Sequence, residues 1–408
     1  MAKKNKKKKW MKFRHRAVRN IASAILRPYC YFKYGIKPER FAEQNGRQYL
    51  ILLNHTTPFD QFFVGMCFKG PIYYLATEDI FSKGFISSVI RYLVAPIPIK
   101  KQANDAAAVL NCLRVAREGG TICIAPEGNR TYSGKTEYIN PTISMLAKRL
   151  KLPIAIFRIE GGYGAQPRWS DCVRKGKMRC YVHSVIEPEE YKEMSDDELY
   201  TKIVDGLYVN DTESPISNFT GKRKAEYLER AVYVCPDCKL SEFYSKGNIC
   251  KCMKCGKSIE YGEDLRIRGV DCEFPFKTVT EWYEYQKDFV NSFDTLAYID
   301  QPIFEEDCIL DEVIVYKKKQ PVAEVANVSF YGNRIEIDSN DFDEKMVFDF
   351  DNVTAMAVLG RNKANIYIDG RVFQLRGDRH FNALKYVNLY YRYRNQTKGD
   401  ENGQFLGL

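Results

Sequence analysis

Nowhere in its 408 residues does the sequence string together the roughly 18 uncharged apolar residues that a membrane-spanning helix needs. A spanning helix is therefore not expected. Nothing near the start reads as a secretory signal, so thirteen cysteines point to reduced thiols or metal ligands in a cytoplasmic protein and away from a disulfide scaffold. Histidine is scarce, with only His15, His55, His183 and His380 available for imidazole chemistry. Acid is missing from residues 1–20, which carry seven lysines and three arginines. Those ten charges equal the formal net charge of +10, so the remaining residues sum to zero and the basicity belongs to a tail.

In that tail Trp10 and Phe13 stand among lysines, and Val18, Ile21, Ile25 and Leu26 follow at helical spacing. The pattern predicts a basic amphipathic helix ending near Pro28, with Trp10 suited to a membrane interface. An anionic membrane surface is the expected partner. A solvated tail and nucleic-acid contact are its rivals, the second disfavoured. Length and a globular composition, 45% hydrophobic and 28% charged, predict more than one domain.

From Tyr49 to about Val185, apolar strand-length runs at 49–53, 71–75, 94–99, 121–125 and 153–159 alternate with helical patterns. This alternation predicts an α/β domain, a sheet covered by helices. The clearest helix, Asn104 to Glu118, is flanked by Asn-Asp and by Gly119-Gly120. The first run delivers Asn54-His55-Thr56-Thr57-Pro58-Phe59-Asp60 to the carboxyl edge where such sheets collect ligands. On a continuous helix Asp60 would lie about 140° around the axis from His55, but a turn through Pro58 brings a carboxylate to an imidazole. That pair is a general base for deprotonating a hydroxyl. The run at 121–125 delivers Pro126-Glu127-Gly128-Asn129-Arg130 to the same edge. The structural alternatives are a packing histidine and a surface Glu127–Arg130 pair.

His55 with Asp60, followed about seventy residues later by Pro126-Glu127-Gly128-Asn129-Arg130, resembles the two signatures of the glycerolipid acyltransferases of the 1-acylglycerol-3-phosphate type. The resemblance implies that His55, oriented by Asp60, deprotonates an acceptor hydroxyl attacking the thioester of acyl-CoA or acyl carrier protein. The acceptor would be a lysophospholipid, 1-acylglycerol 3-phosphate, and the product phosphatidic acid. Backbone N–H groups at the helix start near His55 are candidates for the oxyanion. Arg130 is expected to bind the acceptor phosphate through its guanidinium fork, Gly128 to permit an unusual φ, and Glu127 to hold Arg130 or an acceptor hydroxyl. Where the family places a further arginine this sequence has Lys100 and Lys101, point charges without that fork. Asn129 and Thr131 stand where Thr and Ser are usual, and Leu152-Pro153-Ile154 matches a fourth stretch. The competing class is a non-catalytic adaptor binding lipid or nucleic acid on the same fold.

Beyond it, Gly161 to Trp169 reads as a flexible loop and Asp211 to Gly221 as a polar linker. Cys235-x2-Cys238 and Cys252-x2-Cys255 are separated by thirteen residues, with Gly256 after the last. Two such knuckles predict a structural zinc ribbon, with Cys250 a nearby fifth thiol. Thr278 to Glu281 reads as a capping box. Strand-like runs follow at Val313 to Tyr316, Val322 to Phe330, Arg334 to Ile337, Lys345 to Phe350, Val353 to Leu359, Ala364 to Ile368 and Arg371 to Leu375, then a helix from Phe381 to Arg394. Their order resembles a pleckstrin-homology or GRAM-type module. The expected divisions are 1–30, a basic amphipathic segment peripherally attached to membrane; 31–229, the acyltransferase domain; 230–272, the ribbon; and 273–408, a helix with the β-rich module.

Overall fold

The computed structural model describes residues 9–77, 85–99, 106–314 and 319–399. They form two compact units, each assembled from separated stretches of chain: Met1–Asn129, Ile139–Glu160 and Met178–Val209 in the first, Arg130–Tyr138, Gly161–Lys177 and Asn210–Leu408 in the second.

The first unit is built on a seven-stranded sheet of β1 (Ile36–Pro38), β2 (Leu50–Leu53), β3 (Ile72–Thr77), β4 (Ile97–Ile99), β5 (Thr121–Ile124), β6 (Ile154–Glu160) and β7 (Met178–Ile186). Their spatial order is β1-β7-β6-β2-β5-β3-β4, parallel throughout except between β6 and β7. β2 and β5 are buried at every position, as parallel strands covered on both faces must be. Leu50, Leu52, Ile122, Ile124, Ile154 and Ile156 share a core with Val115, Ala147 and Ile203 from the helices Ala106–Arg117, Thr142–Leu150 and Asp196–Leu207. No helix among the described residues is long and apolar enough to cross a membrane.

Two expectations about the chain's start are corrected. Helix α1 (Phe13–Tyr34) does not end near Pro28 but runs through it to a left-handed Gly35, whose N–H reaches Tyr31 O at 2.9 Å. Proline costs a backbone bond here, but the turn beyond it buries Cys30 and Tyr34, and the Tyr34 ring packs on Phe59 and Phe63. Trp10 is engaged within the unit. Its indole N–H donates to Ala95 O at 3.0 Å, while the Trp10 and Met11 amides donate to the two oxygens of Glu118. The run expected as a strand over 94–99 splits, because Phe85–Val94 is helical and Ala95 turns the chain at φ 44° before β4.

In the second unit, β8 (Val234–Cys235) and β9 (Lys239–Leu240) form a hairpin, and β10 (Phe243–Lys246), β11 (Ile249–Cys252), β12 (Ser258–Tyr261) and β13 (Ile267–Val270) an antiparallel sheet. A second seven-stranded sheet comprises β14 (Phe304–Glu312), β15 (Gln320–Phe330), β16 (Arg334–Asp338), β17 (Met346–Asp349), β18 (Val353–Leu359), β19 (Lys363–Ile368) and β20 (Arg371–Arg376). It is antiparallel, in the order β17-β16-β15-β14-β20-β19-β18, with helix Ala383–Lys398 packed on β18 and β19. Its first strand is the acid-rich β14, with Val313 and Ile314 just past its end; Val315 and Tyr316, the rest of the expected run, lie outside the described residues. The supposed loop at 161–169 is buried throughout, its Gly161 and Tyr163 amides held by the Asp211 carboxylate at 2.8 and 2.9 Å. Asp211 and Phe219 are buried, so the supposed linker is part of the packing too.

Candidate active site and metal centre

Strand β2 is followed by Asn54, whose buried amide donates to Ile159 O and accepts from Ile159 N, both at 2.8 Å, fastening the strand end to β6. The chain then turns through Pro58 into helix α2 (Asp60–Cys67). Asp60, the first helical residue, is 1% exposed, and the turn closes upon it. Its Oδ2 accepts from His55 Nδ1 and Thr56 N at 2.7 Å; its Oδ1 accepts from Thr57 Oγ1 at 2.6 Å and Thr57 N at 3.0 Å. A carboxylate at a helix start is favoured by the exposed amides there. Since Asp60 only accepts in this arrangement, Nδ1 carries the imidazole proton and Nε2 keeps its lone pair. The His55 side chain retains 27% exposure.

The Ala125–Gly128 turn closes through Gly128 N to Ala125 O at 3.0 Å, with Pro126 at its second position and Gly128 at φ +67°. This places the Glu127 carboxylate 2.7 Å from the His55 amide, which donates to it. The second motif thus holds the backbone of the first, a link that residue types alone do not reveal. The amides of His55, Thr56 and Thr57, which precede the helix, are themselves committed to Glu127 and Asp60.

Arg130 lies in the second unit, where its carbonyl accepts from Arg168 Nη1 at 3.1 Å. Buried Arg168 stacks over Tyr132 at 4.3 Å and donates to the Val358 and Gly360 carbonyls. Lys100 and Lys101 lie outside the described residues. The structure thus brings together His55, Asp60 and Glu127, with Gly128 beside them in the same turn.

In the second unit the sulfurs of Cys235, Cys238, Cys252 and Cys255 lie within 4.8 Å of one another, with Cys235 and Cys255 3.8 Å apart. Tetrahedral sulfurs about 2.3 Å from a zinc ion stand about 3.8 Å apart, so the four residues fit such a centre with a contraction of at most about 1 Å. Amides of Asp237 and Cys238 face the Cys235 sulfur, and that of Lys257 faces Cys255. The residue after each knuckle is left-handed, Gly256 at φ 80° and, unexpectedly for a lysine, Lys239 at φ 65°. Lys239 is held there by Nζ bonds to Pro236 O and Tyr285 OH. Cys250 is buried on β11 and stands outside the group.

Residues 36–159 match the acyltransferase family model. This stretch is an acyltransferase domain. The resemblance drawn from the two motifs is borne out over it, and His55, Asp60, Glu127, Gly128 and Arg130 all fall inside. The cysteine group lies outside the matched residues. Comparison with curated proteins finds no match. Among solved structures the chain is similar to the 1-acyl-sn-glycerophosphate acyltransferase PlsC of Thermotoga maritima, with 20% identity, TM-score 0.40, and coverage of 48% of this chain and 80% of that one. It is also similar to the N-terminal PH domain of human ARAP2, with 18% identity, TM-score 0.19, and coverage of 23% and 82%. At these scores neither likeness says more about this chain.

Proposed function

We propose that the protein transfers a fatty acyl group from acyl-CoA or acyl carrier protein to the free hydroxyl of 1-acylglycerol 3-phosphate, forming phosphatidic acid. The observation that carries this reading is the 2.7 Å bond between His55 Nδ1 and buried Asp60, which leaves Nε2 as a base on a partly exposed ring. Nε2 takes the hydroxyl proton as the acceptor oxygen bonds to the thioester carbonyl carbon. The tetrahedral adduct expels the thiolate, which recovers that proton from the imidazolium as the free thiol. No acyl-enzyme is required. Arg130 is assigned to the acceptor phosphate on the charge and fork of its side chain, and Glu127 to holding the His55 backbone.

Cys235, Cys238, Cys252 and Cys255 are proposed to hold a structural zinc ion, which supplies cross-linking and no reaction step. Residues 230–272 are assigned to this ribbon, and 273–408 to a helix with a β-rich module of PH or GRAM type. Because the acceptor is a lipid, the enzyme is proposed to work at a membrane surface. The test is thiol release from acyl-CoA and from acyl carrier protein over a panel of lysophospholipids, native protein against His55→Ala. Equal rates would remove the enzyme reading and leave the adaptor.

A further inference from the structure

Helix α1 carries a stripe that nothing in its unit covers. At about 100° per residue, Phe13, Ile21, Ala24, Ile25, Pro28 and Phe32 fall within an arc of about 120°. All but Ala24 and Pro28 are large and apolar, with exposures of 88% for Phe13, 62% for Ile21, 66% for Ile25 and 83% for Phe32. The opposite side of the helix buries His15, Cys30 and Tyr34. A second helix, Phe85–Val94, exposes Phe85, Ile86, Val89 and Tyr92. The two helices are tied together: Arg14 Nε donates to Tyr92 O at 2.8 Å and its guanidinium lies 3.9 Å over the Tyr92 ring. Trp10, just before α1, is bonded to Ala95, just after the second helix. A soluble monomer seldom exposes so much contiguous apolar surface without a partner.

Charge chooses the partner. Arg16 and Arg27 lie about 40–60° outside this arc beside Phe13, Arg14 lies within it and is held on Tyr92, and residues 1–20 carry seven lysines and no acid. A second copy of the chain would bring the same charges into opposition. An anionic bilayer would neutralise them, while its acyl region takes up the phenylalanine and isoleucine side chains. We infer that the outward stripe of α1 and the exposed side of Phe85–Val94 together form a face that inserts into the interface of an anionic membrane. This rests on the lipid-acceptor reading, and it specifies which surface meets the lipid.

The test uses the full chain and co-sedimentation with phosphatidylcholine vesicles, with and without phosphatidylglycerol. Native protein should bind the anionic vesicles, more weakly as salt rises. Ile21→Asp with Ile25→Asp, and separately Phe85→Asp with Val89→Asp, should each lower the partition coefficient at least about tenfold, since each pair removes two large apolar side chains from the buried face. The gentler pair Ile21→Ser, Ile25→Ser should fall in between, and thiol release with a short-chain, water-soluble lysophosphatidate should be unchanged in every variant that folds. Binding unaffected by both aspartate pairs would overturn the inference. So would native protein that ignores vesicles, or a dimer seen by light scattering that the aspartate pairs dissociate. Vesicle binding without thiol release from any acceptor would instead leave the docking face standing and remove the acyltransferase reading.

Discussion

A single carboxylate does three jobs in the first unit: Asp60 orients His55, closes the turn after β2 and begins α2. Its replacements therefore separate chemistry from folding. His55→Ala removes the proposed base and leaves the turn's other bonds intact, so thiol release should fall by roughly 10²–10⁴-fold with little change in urea midpoint. Asp60→Asn must turn an amide N–H towards one of the donors that Asp60 accepts from, so activity and stability should fall together, the latter by about 1–3 kcal/mol. Similar urea midpoints for the two variants would contradict that distinction. Asn54→Ala should cost about as much as Asp60→Asn, since it leaves the buried Ile159 N–H and C=O unpaired. At this scale the sequence was legible where a residue type has one suitable job. An imidazole five residues before a carboxylate across a proline can be read directly. The Glu127 carboxylate on the His55 amide could not be read, because a backbone donor has no residue type. Nor could Lys239 in a left-handed turn, where a glycine would be expected.

Elements were legible when burial dictated their composition. The runs at 49–53 and 122–125 are uninterruptedly apolar because both faces of β2 and β5 are covered. Strand β14 failed that test: it carries Glu305, Glu306, Asp307, Asp311 and Glu312, exposes Glu305 and Asp307, and buries only Cys308, Leu310 and Asp311. The length of α1 was hidden by Pro28, whose local cost is outweighed by packing further on. One consequence concerns pH. His15, buried on the inner side of α1, has its Nδ1 3.0 Å from the Tyr73 hydroxyl. Burial first, then Arg14 and Lys12, hold its pKa below the usual 6.5. A depressed imidazole means that the unfolded chain takes up the proton first. The stabilisation is thus complete above about pH 6.5 and is lost as pH falls towards the folded-state value. Hydrogen exchange across Phe13–Tyr34 should therefore quicken between pH 7 and pH 5 relative to β2 and β5, after correction for the intrinsic rate. His15→Leu should flatten that difference, and a pH response surviving in the variant would assign it elsewhere.

At the scale of the molecule, the chain's basicity and its cysteines are both concentrated: ten excess charges within residues 1–20, and four of thirteen cysteines in one sulfur cluster. The paired Cys-x2-Cys spacing made the cluster legible, because two short knuckles can present four sulfurs tetrahedrally only if the chain between them doubles back, as β10 and β11 do. The way the second unit gathers residues 130–138 from within the matched acyltransferase stretch and 161–177 from just beyond it was not legible, since nothing local marks a segment for a distant partner. Strands β10 to β13, the proposed ribbon, are four residues long each, a length at which a staple adds most. One zinc ion per chain is accordingly expected by elemental analysis, dropping below about one tenth in Cys235→Ser with Cys252→Ser. A strong chelator should lower the thermal midpoint of the native protein and release amide protection across 234–270, while the same treatment leaves the doubly substituted chain unchanged. Cys250→Ser should keep the metal, because that thiol lies apart from the other four. Full metal content in the double variant, or its loss in Cys250→Ser, would assign the ligands differently.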